Sequence, residues 1–239
     1  MVYRLGRVAY AQAWTLQKRL AKLRAEAASP DSLLLLEHPH TYTLGSSGRR
    51  DHLLMDEAEL SKRGVTVHHV DRGGDITYHG PGQLVGYPIL QLSPDAAGQN
   101  RRVNVVAHIR RLEHVLIDAL KVFRVQGERL EGYTGVWVRM AGEYQKIAAI
   151  GVKITVHHVS YHGFALNIDP ELSFFQGIVP CGIADKPVTS LAAILQHPVA
   201  ASEVMEAIIS AFGRVFELAM HNGTMASLNG AWQSNLTQT

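Results

Sequence analysis

Residues 134–139 (TGVWVR), 145–156 (QKIAAIGVKITV) and 159–168 (VSYHGFALNI) follow one another with only short breaks between them. Each is rich in β-branched, aromatic or small apolar residues and none carries a helical stripe, so the three read as successive strands. Working outward, strand-like runs recur at 32–37 (SLLLLE), 65–70 (VTVHHV) and 83–92 (QLVGYPILQL). Helical periodicity is clearest in three other places. Ala9, Ala13, Leu16, Leu20 and Leu23 form a stripe within 4–24, and Val105, Ile109, Leu112, Leu116 and Leu120 share a face within 103–123. Val204, Ile208, Ala211, Phe212 and Phe216 do the same within 202–219. Strands and helices thus come in unequal groups and not as a regular βαβ alternation, so the expected class is α+β, a mixed β-sheet flanked by helices. One domain is expected over 1–220, with 221–239, rich in Gly, Asn, Ser, Thr and Gln, as a flexible C-terminal tail.

The 239 residues are 46% hydrophobic and 18% charged, enough apolar material for a core. A net charge of +2 is too balanced for a general nucleic-acid binder. With one cysteine, no internal disulfide and no multi-cysteine zinc site can form, and a reducing compartment is the natural setting. No apolar run approaches the ~18 residues needed to span a bilayer. The stretch from Arg4 to Arg24 is basic and free of acids, as in a transit peptide, but its helical stripe assigns it to the domain. The expectation is a soluble, cytoplasmic protein with no membrane and no nucleic-acid partner.

The densest punctuation is Arg72-Gly73-Gly74-Asp75-Ile76-Thr77-Tyr78-His79-Gly80-Pro81-Gly82-Gln83. Glycines and a proline at this density give a backbone that a ligand can approach closely, and Arg72, Thr77, Tyr78 and His79 supply donors beside it. A plain pair of tight turns would account for the glycines but not for the aromatic and ionisable residues among them. The segment is not a nucleotide fingerprint: 80–86 misses G-x-G-x-x-G by one position, and no G-x-x-x-x-G-K-[ST] occurs. The single thiol, Cys181, sits between Pro180 and Gly182. A lone cysteine is most often a small buried hydrophobe; a turn setting with a positive neighbour would instead make it a nucleophile. Lys146, Lys153 and Lys186 are all available as that neighbour. Thirteen histidines invite a metal reading, but none forms H-E-x-x-H, and no bound metal is expected. His79 and His162 stand apart from the others because each precedes a glycine in an unusual turn.

With these segments in view, the sequence resembles the lipoyl(octanoyl) transferases, the lipoate–protein ligase B family. The resemblance runs through Tyr10-Ala11-Gln12-Ala13-Trp14, Leu34 to Gly45, Arg72 to Gln83 and Lys146 to Lys153. It continues through Tyr161-His162-Gly163-Phe164-Ala165-Leu166-Asn167 and from Pro180-Cys181-Gly182-Ile183 to Leu191. Departures are small: Ser160 stands where threonine is more usual, and the chain beyond 220 has no clear family counterpart. The resemblance implies the fold of the biotin and lipoate protein ligases, around an acyl-binding pocket. It implies octanoyl transfer from octanoyl-acyl-carrier protein, through a cysteine thioester, to a lysine on lipoyl domains. Acceptors would be the lipoyl domains of 2-oxoacid dehydrogenase complexes and the glycine cleavage H protein, and no cofactor is called for. By the same resemblance Cys181 is the acyl-thioester nucleophile and Lys146 favours its thiolate and handles protons. Substrate contacts would fall on Arg72, Gly73, Gly74, Asp75, Ile76, Thr77, Tyr78 and His79, on Ala149, Ile150 and Gly151, and on Gly163, Phe164 and Ala165. Arg49-Arg50, Arg101-Arg102 and Arg110-Arg111 are candidate patches for steering acidic partners.

Two alternatives share parts of this pattern. An ATP-dependent lipoate or biotin ligase of the same fold would work from free acid and be indifferent to Cys181. A non-catalytic acyl-carrier-binding protein would bind without any covalent step.

Overall fold

Ser32–Glu37 (β2) reads SLLLLE, an apolar run without alternation, and such a run is stable only when both faces are covered. Leu33 and Leu35 pack on one side of the sheet and Leu34 and Leu36 on the other, all four at most 1% exposed. The same division continues along Gln83–Gln91 (β6), where Leu84 and Leu90 share the first side while Val85, Tyr87 and Ile89 share the second. The computed structural model describes residues 1–94, 103–179 and 186–232, with side chains described as far as Leu228.

Around β2 and β6 the described chain builds a seven-stranded sheet in the order β1-β2-β6-β10-β9-β8-β7. Its other members are Val2–Arg7 (β1), Glu128–Leu130 (β7), Tyr133–Met140 (β8), Glu143–Ile154 (β9) and Val159–Asn167 (β10). β1 runs parallel to β2 and the remaining pairs are antiparallel, so the sheet is mixed. The crossover between β1 and β2 is the helix Tyr10–Ala25 (α1), which lays Ala13, Leu16, Leu20 and Ala21 on one face of the sheet. Val105–Val122 (α3) and Ala201–Phe216 (α5) cover the other face through Leu112, Leu116, Leu120, Val204, Ile208 and Phe212. Asn104 caps α3 by accepting from the Ala107 amide at 2.9 Å.

A second, three-stranded sheet has the order β4-β3-β5, from Thr66–His69 (β4), Thr41–Leu44 (β3) and Ile76–His79 (β5). Tyr42, Leu44, Ile76, Tyr78 and Phe174 form its core. The short helix Glu57–Lys62 (α2), held by a capping box between Asp56 and Glu59, adds Leu60 to that core. Leu191–Leu195 (α4) completes the connection to α5. No helix among the described residues is long and apolar enough to cross a membrane.

The α+β architecture with a mixed sheet follows the expectation, but three details differ. First, residues 4–24 are not one helix: β1 ends at Arg7 and α1 begins at Tyr10. Val2 and Tyr3 alternate across the sheet and pair with Leu33 and Leu34, a parallel partner that local periodicity does not reveal. Second, Val105 is 43% exposed and Ile109 is only partly buried, so the fully buried apolar residues of α3 begin at Leu112, one turn after the buried His108. Third, packing continues past the expected boundary at 220. Asn222 bridges to Val2, and Met225–Trp232 (α6) buries Leu228 completely against the α1 side. The remainder of the expected tail, 233–239, lies outside the described residues.

Candidate active site

The central strands β9 and β10 supply a floor almost without side chains. Ala149 pairs with Ala165 and Gly151 with Gly163, and alternation places these four on one face. A Cβ on Gly163 would stand 2.2 Å from the Gly86 carbonyl oxygen, so no side chain fits there. Over β9 lies the glycine-rich segment: the Gly73 amide donates to the Val152 carbonyl at 3.0 Å. Gly74, at φ +90°, occupies a conformation that side chains disfavour. Ser46 and Ser47 amides donate to the Arg72 and Gly74 carbonyls at 2.9 and 3.2 Å, which ties the loop to the end of β3.

Between floor and loop is a cleft of about 460 Å³, within the usual range for small-molecule sites. Val105, Ile109, Ile150 and Phe164 give it an apolar wall, and Tyr10, Tyr87 and Tyr133 add aromatic surface. Arg72 and Lys146 bring two cations into the same walls, with exposures of 8% and 7%. The Arg72 guanidinium donates through Nη2 to the Thr43 carbonyl at 2.7 Å and to its hydroxyl at 2.9 Å. Lys146 Nζ lies 4.7 Å from the centre of the Trp137 ring, a cation–π arrangement beneath the cleft. The Lys146 backbone is gripped by residues 187–189, which follow the thiol in sequence. Its amide donates to the Pro187 carbonyl at 2.9 Å and its carbonyl accepts from Thr189 at 3.0 Å. Lys186 Nζ stands 5.4 Å from the centre of the Tyr133 ring in the cleft wall.

Two imidazoles here are buried and neutral at pH 7, His79 in the cleft lining and His38 packed against it. His79 donates from Nδ1 to Gln83 Oε1 at 2.8 Å and stacks on Tyr10, and burial holds its pKa well below the ordinary histidine value. His38 donates from Nδ1 to the Val8 carbonyl and accepts at Nε2 from the Tyr87 hydroxyl, both at 2.7 Å. Burial lowers His38 to about 4 and raises Tyr10 to about 12.

The structure brings together most of the residues singled out from the sequence. Arg72, Gly73, Gly74, Asp75, Thr77 and His79 line the cleft, as do Lys146, Ala149, Ile150, Gly151, Gly163, Phe164 and Ala165. Ile76 and Tyr78 do not: they alternate away from Thr77 and His79 along β5 and enter the core of the small sheet beside Tyr42 and Phe174. Cys181 lies outside the described residues, as does the Arg101-Arg102 pair. Of the other four paired arginines, three are engaged within the chain: Arg49 with Asp51, Arg110 with Glu113 and Arg111 with the Val215 carbonyl. Tyr87, Tyr133, Val105 and Ile109 line the cleft without a sequence signal, since each reads as an ordinary core or turn residue. Tyr10 belongs to the N-terminal motif, and His162 is marked in the sequence by its place before Gly163.

Residues 9–213 match the model of the lipoyl protein ligase A/B catalytic domain. The octanoyltransferase of Chloroflexus aurantiacus is 49% identical over 217 residues, 91% of this chain and 94% of that protein. That of Solibacter usitatus is 46% identical over 227 residues, 95% and 96% of the two chains. Among solved structures, the lipoate protein ligase of Thermoplasma acidophilum, studied with its E2 lipoyl domain, superposes with a TM-score of 0.71 at 14% identity. That match covers 98% of this chain and 93% of the ligase. The biotin protein ligase of Aquifex aeolicus superposes with a TM-score of 0.52 at 13% identity over 97% and 76% of the two chains. At such identities these two likenesses speak for the fold alone. The sequence matches, which span nearly the whole chain, carry the rest: the protein belongs to the lipoyl protein ligase A/B catalytic-domain family and, with the octanoyltransferases, is an acyltransferase.

Proposed function

We propose that this acyltransferase takes an octanoyl group from the thioester of an acyl-carrier protein, holds it as a thioester on Cys181, and passes it to a lysine of a lipoyl domain. Lipoyl domains of 2-oxoacid dehydrogenase complexes and the glycine cleavage H protein are the proposed acceptors. The observation that carries the reading is Lys146: a nearly buried ammonium in the wall of a partly apolar cleft, its backbone paired with Pro187 and Thr189 just downstream of Cys181 in sequence.

A cysteine thiol has an ordinary pKa of ~8.5, so at neutral pH only a few per cent is nucleophilic thiolate. An ammonium held beside it stabilises the anion. In the first half-reaction the thiolate attacks the donor's thioester carbonyl, a new C–S bond forms, and the carrier's thiol leaves with a proton. In the second, the acceptor amine attacks the enzyme thioester, the C–N bond forms, the C–S bond breaks and Cys181 is released. In this reading Lys146 gives and takes the proton that each half-reaction moves. Arg72, anchored on Thr43, adds positive potential, and the floor of Ala149, Gly151, Gly163 and Ala165 leaves room for an extended acyl chain.

The test is intact mass after mixing the protein with octanoyl-acyl-carrier protein and no ATP. An increment of one octanoyl group is expected, absent in Cys181→Ser and discharged by apo lipoyl domain. An unchanged mass during turnover would falsify the covalent route, and transfer that needs ATP and free octanoate would favour a ligase.

A further inference from the structure

At the edge of the cleft, β10 contains a local departure from regular strand geometry. His162 has φ +56°, the left-handed region, although its neighbours keep ladder register: Tyr161 pairs with Lys153 and Gly163 with Gly151. For a residue with a Cβ this conformation is strained, and such strain persists where surrounding contacts enforce it. Its effect here is specific. Successive side chains on a strand point to opposite faces, yet the rings of Tyr161 and His162 stack with centroids 4.9 Å apart and both reach Asp71. The Tyr161 hydroxyl donates to one carboxylate oxygen, and His162 Nε2 stands 2.9 Å from the other. Trp14 Nε1 donates to the same carboxylate at 3.3 Å, and the His162 amide donates to Gln17 Oε1 at 2.9 Å.

This network fixes the state of the ring. Hydrogen bonds from His162 and Tyr161 hold the Asp71 carboxyl below its ordinary pKa against partial burial, so it accepts and does not donate. His162 therefore carries its proton on Nε2, and Nδ1 presents a lone pair. That Nδ1 has no partner among the described residues, although the side chain is 1% exposed and His162 lines the cleft. A buried acceptor without a donor calls for an explanation, and a ligand N–H supplies one.

We infer that His162 Nδ1 accepts a hydrogen bond from the attacking nitrogen of the acceptor lysine, with Asp71 as the positioning residue that fixes the ring. The inference rests on the acyl-transfer reading above. An attacking amine must aim its lone pair at the thioester carbonyl, and an acceptor that holds one N–H sets its rotation. His162 does not take the proton, because burial, outweighing Asp71, lowers its pKa to about 4. As the C–N bond forms and the C–S bond breaks, the electron pair leaves with the Cys181 sulfur, and the single proton shed by nitrogen passes to Lys146 or to that thiolate. A thiol acceptor has no N–H to hold, so its reaction does not need His162.

The test separates the half-reactions by intact mass, using octanoyl-acyl-carrier protein to load the enzyme, then apo lipoyl domain or β-mercaptoethanol to discharge it. His162→Phe is expected to load and to discharge to the thiol within about twofold of the parent, while discharge to lysine falls at least about tenfold. Asp71→Asn, which can donate to Nε2 and so reverse the tautomer, is expected to show the same split. His162→Asn, whose amide oxygen can stand near the Nδ1 position and whose backbone tolerates positive φ, should recover most of the lysine rate. Equal losses in loading, thiol discharge and lysine discharge, or an undiminished lysine rate, would overturn the inference. If the parent enzyme never loads, the transferase reading itself fails, a distinct result.

Discussion

Gly163 on β10 faces Gly151 on β9, and backbone closes on both: a Cβ at 163 would meet the Gly86 oxygen at 2.2 Å, and one at 151 the Gly73 oxygen at 2.9 Å. The cleft floor is thus thin because neighbouring strand and loop leave no volume, quite apart from any substrate. Gly163→Ala is expected to lower stability by about 1–3 kcal/mol through overpacking, read as a reduced urea midpoint with an unchanged slope. A variant as stable as the parent would show that Gly86 and Pro88 move freely, and the rigid floor would have to be given up.

Lys146→Ala removes the ammonium from the cleft wall while leaving the backbone pairing to Pro187 and Thr189 available. Formation of the acyl-enzyme at neutral pH should slow by about 10²–10⁴-fold, the usual scale for a positioned proton-transfer group. Raising the pH should restore part of the rate, since the thiol then ionises without help. Single-turnover loading across pH 6–9 is the measurement; a rate independent of the substitution reassigns the role.

Acid should destabilise the protein over a defined window. Burial depresses His38, His108 and His162 to about 4 and holds His79 well below the ordinary histidine value, whereas the unfolded chain titrates at ~6.5. Below that value the unfolded state binds more protons than the folded one, so stability present at neutral pH drains away as pH falls toward 4. Each fully buried histidine contributes up to about 1.4 kcal/mol per pH unit in that range. His108, packed edge-on to Phe216 and not part of the cleft lining, offers a clean check: His108→Leu should flatten the acid limb of a Tm-versus-pH curve by its share. A limb of unchanged steepness would mean that His108 is protonated in the folded state.

Leu228 is completely buried in the cluster that includes Tyr3, Leu16 and Leu20, at the far end of the chain from them. Leu228→Ala is expected to cost about 2–3 kcal/mol, the lower part of the range for buried leucine truncation. Truncation after residue 220 should destabilise further, by also removing the Asn222 bridge to Val2. Equilibrium unfolding of both forms decides the matter, and parent-like stability in either would place the domain boundary near 220 after all.

Much of the architecture is legible in the residues themselves. The runs at 32–37, 83–92, 145–156 and 159–168 each coincide with β2, β6, β9 and β10 to within two residues at either end, and the stripes of α3 and α5 mark those helices. β1, β3 and β5 are not legible, because strands of four to six residues next to glycine or proline look like turns until a partner strand is known. The cleft follows the same division. Arg72 to His79 announced itself by composition, but that Ile76 and Tyr78 turn inward depends on where β5 is pinned to β3.

What the chain determined on its own, then, is the α+β class, the principal strands and helices, the loop of Arg72 to His79 and the family to which the motifs point. Those properties lie in neighbouring residues, where hydrophobic period and backbone preference act over a few positions. Tertiary structure alone decided that Lys146 is gripped by Pro187 and Thr189, that Tyr10 and Tyr87 line the cleft, and that Asp71 orients His162 across 91 positions. Side chains so far apart in sequence meet only when sheet pairing brings their strands and loops together, and no local pattern encodes which partner a strand will choose.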